Sequence, residues 1–113
     1  MCEIHNIVPQ KGDMLFIRTG CIPEWDTFTE QQKQSYAANK SPEHAGVEAS
    51  LETLEWIWDS GIVAVAGDAI SWEVFPTPGE VSMHEYLLAG WGCPIGMFQY
   101  PLLFYLYMEQ VSL

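Results

Sequence analysis

Basic residues are scarce in this chain of 113 residues: 4 Lys and Arg stand against 15 Asp and Glu, a formal net charge of −11. Lys11, Arg18, Lys33 and Lys40 are spread over the first third, and nothing basic follows Lys40. Nucleic-acid binding rests on clustered Lys and Arg that neutralise phosphates, so this balance argues against it. An anionic membrane surface is disfavoured on the same ground. Long apolar runs are also missing. The segment FQYPLLFYLY is interrupted by Pro101 and falls short of the roughly 20 residues that a membrane span needs. The opening MCEIHNIVPQ has neither the basic nor the apolar stretch of a secretory signal. Cys2, Cys21 and Cys93 are odd in number and far apart. They make neither a CxxC pair nor an even disulfide framework, so free thiols in a reducing, cytoplasmic setting are expected. His5, His44 and His84 form no HxH, HxxxH or HExxH arrangement, and there is no GxSxG elbow or phosphate-binding glycine loop.

What is present is apolar and aromatic. Hydrophobic residues make up 49% of the chain and charged residues only 17%, which is a globular rather than a disordered composition despite the charge. The length fits one small domain or part of a larger one. Met14-Leu15-Phe16-Ile17, between Gly12-Asp13 and Thr19-Gly20, reads as a strand buried on both faces. Thr27-Phe28-Thr29-Glu30 matches a capping box and predicts a helix over about 28–39, closed by Ser41-Pro42. Residues 41–49 read as a loop. Ser50 is placed as the N-cap of a helix over 51–60, with Leu51, Leu54, Ile57 and Trp58 at core spacing and Gly61 as its left-handed terminator. The run 62–66 reads as a second buried strand, expected beside the first. Ser82-Met83-His84-Glu85 is another capping-box match and predicts a helix over about 83–90. The order strand, helix, helix, strand, helix gives an α/β class. Two or three strands are few for a free-standing sheet, which points to an incomplete domain or an edge completed by another chain.

Three residues stand out for chemistry. Asp68 follows an apolar strand, where α/β proteins place functional groups, although an Asp there also commonly caps a turn. Glu73, five residues on, could form an acid–base pair with Asp68 if the loop folds back, or be a separate surface acid. His84, at a helix start, could be a neutral imidazole ligand or a surface residue. Trp25, Trp56, Trp58, Trp72 and Trp91 could line an aromatic pocket or simply pack.

The segments GDMLFIRTG, AGVEAS, LEWIWD, VAVAGDAISWE and MHEYLLAGWGCPIG, in that order, resemble the cyclase family of metal-dependent hydrolases, which includes bacterial kynurenine formamidase. The resemblance covers about residues 12–96 and is nearest to filamentous-fungal members. It implies an incomplete formamidase-type α/β domain with a short sheet and two to three helices. It also implies metal-dependent hydrolysis of a small-molecule amide or lactone, in fungal secondary or tryptophan-related metabolism. Family members take Zn or Mn through an N-terminal motif of the type HxGTHxDxxxH, plus a later His and a Glu about a dozen residues beyond it. His84 falls on the later His position. The Glu is expected near Met97, where relatives read PIGE and this chain reads Pro94-Ile95-Gly96-Met97. The N-terminal motif does not occur in the sequence.

These comparisons divide the chain into a C-terminal part of a cyclase-like domain, 1–96, and an apolar tail without family character, 97–113. They leave His84 as the one family ligand, with Asp68 and Glu73 as candidate outer-shell residues, and no metal expected in this chain by itself. Two functions follow: a formamidase-like hydrolase, or a non-catalytic shortened paralogue that binds a small molecule or pairs with a full-length partner. Loss of the family's N-terminal half would bare apolar surface, so self-association or pairing with a related chain is expected.

Overall fold

The computed structural model describes residues 7–97. It is an α/β arrangement of three parallel strands and four helices. Strands β1 (Met14–Ile17), β2 (Ala64–Gly67) and β3 (Ile95–Gly96) lie in the order β1-β2-β3. The helices are α1 (Cys21–Thr27), α2 (Glu30–Ala38), α3 (Leu51–Ser60) and α4 (Glu85–Gly90), the last wound as a π-helix. The two strands expected to be neighbours pair in register, with Met14 opposite Ala64 and Ile17 opposite Gly67. On the other side of β2, Val65 pairs with Ile95 and Ala66 with Gly96. β2 is therefore central, and its consecutive residues Val65 and Ala66, which point to opposite faces, are both buried.

Helix α3 forms where the sequence places it. The Ser50 hydroxyl accepts from the Thr53 N–H, and Gly61 ends the helix at φ 69°, a conformation that costs glycine little because it has no Cβ. Only Leu54 and Ile57 of its apolar residues are buried; Leu51 and Trp58 are each 63% exposed. A three-stranded sheet covers a narrow strip of helix, so the flanking positions stay outside. Trp58 packs its ring on Trp91 instead, with centroids 4.9 Å apart.

One core cluster joins α3, β2 and α4 through Leu54, Ile57, Val65, Trp72, Met83 and Leu87. Leu54→Ala should cost about 2–5 kcal/mol, the range for truncating a buried leucine. Urea unfolding would measure it, and a loss below half a kcal/mol would remove Leu54 from the core.

The helix expected over 28–39 forms as α2, and a separate short helix that was not expected, α1, precedes it. TFTEQQ contains overlapping box frames, Thr27 with Glu30 and Thr29 with Gln32, and the second one forms. The Thr29 side chain accepts from the Gln32 N–H while the Gln32 side chain accepts from the Thr29 N–H, at 2.8 Å. Thr27 turns its hydroxyl to the Glu24 carbonyl at 2.6 Å and so closes α1. Phe28, extended between the helices, lies 5.7 Å from the Trp25 ring. The box expected at Ser82–Glu85 does not form: no side chain caps α4 from its N-cap position. The Glu73 carboxylate does the capping from elsewhere in the chain, accepting from the Met83 N–H through Oε2.

Residues 41–49, expected as plain loop, instead bridge to the segment after β2. His44 pairs antiparallel with Phe75, and Val47 parallel with Glu73. Gly46 makes this approach possible, since a Cβ there would overlap the Glu73 carbonyl group and the Val74 nitrogen. The expected tail over 97–113 lies outside the described residues beyond Met97, as do Cys2 and His5.

Candidate functional site

The chemistry-bearing side chains gather beyond the C-terminal ends of β1 and β2. Asp68 follows β2 directly and is 2% exposed. Its Oδ1 accepts from the Thr19 N–H at 2.6 Å and the Thr19 hydroxyl at 2.7 Å, and its Oδ2 accepts from the Gly20 N–H at 2.9 Å. Burial alone would raise this carboxyl, but hydrogen bonds from Thr19, Gly20 and its own N–H outweigh burial, and the net shift is downward. Asp68 thus joins the ends of β1 and β2 and fixes the start of α1, whose N-cap is Gly20.

The chain then turns through Trp72, which is buried and sits at φ +65°. A bulky residue rarely adopts that backbone. Here the indole is held in the core, and its Nε1–H donates to the Ala66 carbonyl at 3.1 Å. The turn aims Glu73 inward, where it is 6% exposed. Glu73 Oε2 accepts from the Met83 N–H, and Oε1 lies 2.9 Å from His84 Nδ1. A carboxylate only accepts, so a proton in this contact sits on His84 Nδ1, and in the neutral ring Nε2 is then the bare nitrogen. A carboxylate holding one ring nitrogen while the other stays free is the arrangement that orients histidine ligands and bases.

Glu73 and His84 are thus brought together. Asp68 has different partners, and its pairing with Glu73 as acid and base is not seen: each carboxylate is committed to its own donors. Among the described residues, no three His, Cys, Asp or Glu side chains gather closely enough to hold a metal ion. Met97, where the family carboxylate was expected, is exposed just past β3.

His44 lies near this region. Its Nε2 is 2.7 Å from the Ser71 hydroxyl, which donates to the Glu73 carbonyl at 2.8 Å. Neither Ser71 nor Thr19 carried a sequence signal, since each acts through a long-range contact with no local motif. The tryptophans divide by role: Trp72 is core, Trp25 lines a cleft, and Trp56 and Trp58 are exposed. Burial and then the charges of Asp68 and Glu24 push the Cys21 thiol up, which disfavours the thiolate that a nucleophile needs.

The Cyclase family model, described as "Putative cyclase", matches residues 1–74. The chain belongs to the cyclase family. The matched segment takes in β1, α3, β2, Asp68 and Glu73 and stops before His84, so the cyclase match covers the carboxylate of the Glu73–His84 pair but not its imidazole. No curated protein and no solved structure matches this cyclase-family chain. Among its described residues, no helix is long and apolar enough to cross a membrane.

Proposed function

We propose that this cyclase-family chain carries the carboxylate-oriented imidazole of a formamidase-like site for a small-molecule amide or lactone, and is not a catalyst by itself. The observation that carries this reading is the 2.9 Å contact between Glu73 Oε1 and His84 Nδ1, which leaves Nε2 bare. In intact family members Zn or Mn supplies the Lewis acid. The described residues do not fit such an ion. Both oxygens of Asp68 are taken by Thr19 and Gly20, and both oxygens of Glu73 by Met83 and His84. Of the Glu73–His84 pair only His84 Nε2 is left, and among the described residues no three His, Cys, Asp or Glu side chains gather closely enough to hold an ion, whereas a catalytic ion needs about three protein ligands. No step through a metal is therefore derived for this chain.

The same shortage of ligands favours the second reading, a non-catalytic paralogue that binds a small molecule or pairs with a related chain. Several large apolar side chains, Leu51, Trp58, Val63 and Leu88 among them, are more than half exposed, which supports pairing through burial of apolar surface.

Calorimetry with Zn²⁺ and Mn²⁺, beside hydrolysis assays on an N-formyl anilide and a lactone, tests the proposal. The chain alone should show neither low-micromolar binding nor hydrolysis. Low-micromolar binding that disappears in His84→Ala would overturn it.

A further inference from the structure

The turn that aims Glu73 at His84 is strained. The Glu73 N–H donates to the Ser71 carbonyl at 2.8 Å, and Trp72 between them sits at φ +65°. That combination is a γ-turn of the positive-φ kind, the rare and strained form. Such a backbone persists only where its surroundings over-determine it. The buried Trp72 indole supplies part of that hold, and the segment 44–47 supplies more. The Val47 N–H donates to the Trp72 carbonyl at 2.8 Å, and the Val74 N–H to the Val47 carbonyl at 2.9 Å. The His44 N–H donates to the Phe75 carbonyl at 3.0 Å, and the Phe75 N–H to the His44 carbonyl at 3.2 Å.

Side chains hold the Glu73 carbonyl. The Ser71 hydroxyl donates to it at 2.8 Å, and His44 Nε2 lies 2.7 Å from the same hydroxyl oxygen. A hydroxyl has a single proton. With that proton on the Glu73 carbonyl, His44 Nε2 is the donor to Ser71 Oγ. His44 Nδ1, buried without a partner among the described residues, keeps the lone pair of a neutral ring. The ring is fixed by stacking on Phe75, with centroids 5.5 Å apart and planes 15° from parallel. Two histidines therefore bracket Glu73: His84 meets its carboxylate, and His44, through Ser71, secures its main chain.

We propose that His44 and Ser71 are positioning residues for the Glu73–His84 pair. By closing the γ-turn they keep the Glu73 carboxylate on His84 Nδ1, and so set which ring nitrogen of His84 is bare. When neutral, the two histidines then carry opposite tautomers, Nε2–H on His44 and Nδ1–H on His84. This role rests on the oriented-imidazole reading and deepens it.

The test is ¹⁵N spectroscopy of the full chain at about pH 8, above the ordinary imidazole range. In the wild type the two rings should show opposite tautomers. Ser71→Ala, and His44→Phe, which keeps the stacked ring, should each lower the ratio of Nδ1–H to Nε2–H in His84 at least about threefold, a factor in the range that one lost hydrogen bond produces. Ser71→Thr retains the hydroxyl and should hold the wild-type ratio. Leu54→Ala weakens the fold away from the turn and should hold it too. If one of Ser71→Ala and His44→Phe does not fold, the other decides. A wild-type ratio in either folded variant, an equal fall in Leu54→Ala, or Nδ1–H on His44 would overturn the proposal and leave the oriented-imidazole reading standing. Nε2–H on His84 in the wild type would overturn both.

Discussion

Replacing Asp68 by alanine should remove about 3–5 kcal/mol of folding free energy, a large part of what a small domain has. The carboxylate is buried and accepts from three donors, the Thr19 N–H, the Thr19 hydroxyl and the Gly20 N–H. Truncation strands all three, at about 1–3 kcal/mol for each donor left unsatisfied, with partial relaxation making the sum less than additive. Asp68→Asn keeps one accepting oxygen but turns an NH₂ toward a donor, so it should recover no more than about half. The pH dependence follows from the downward shift of this carboxyl. A group whose folded value lies below its unfolded value, about 4 for Asp, contributes stability above the unfolded value. That stability is lost as pH falls through the folded value. Chemical denaturation from neutral to acid pH should therefore show a falling limb in the wild type that is flatter in Asp68→Asn. A change below about 1 kcal/mol in Asp68→Ala would show that β1 and β2 are joined by other means.

Trp72→Ala should cost about 3–5 kcal/mol, the range for emptying a buried aromatic site. The indole is only 1% exposed and also donates to the Ala66 carbonyl. The backbone adds a distinguishing feature. At φ +65° alanine is strained and glycine is not, by about 1 kcal/mol. Trp72→Gly should therefore be no less stable than Trp72→Ala, the reverse of the order in ordinary strands and helices. Guanidinium unfolding of the two variants measures this. Because Trp72 is followed directly by Glu73, both variants should also release His84 from its carboxylate.

Local signals were readable and distant ones were not. Helix α3 was legible because Ser50, the spacing of Leu54 and Ile57, and Gly61 all act within a turn of their own segment. The pairing of β1 with β2 was legible because both are short apolar runs bounded by turn residues. Helix α1 was hidden, since it starts at a left-handed Gly20 without a side-chain cap and carries Pro23 in its first turn, a tolerated but uninformative position. The helical stretch over 83–90 was legible, but its cap was misread: it comes from Glu73, ten residues away, and not from Ser82. Asp68, Glu73 and His84 were each singled out, but their grouping was not. A five-residue spacing cannot reveal that Trp72 inverts the backbone and sends the two carboxylates to different partners. The bridges from His44 and Val47 to Phe75 and Glu73 lay in a segment with no periodicity at all.

The orientation of His84 by Glu73 is the point on which the functional reading turns, and ¹⁵N spectroscopy of the histidine rings measures it directly. At about pH 8, above the ordinary imidazole range, His84 should carry its proton on Nδ1, facing Glu73 Oε1, with Nε2 bare. A His84 ring protonated on Nε2 would contradict the account.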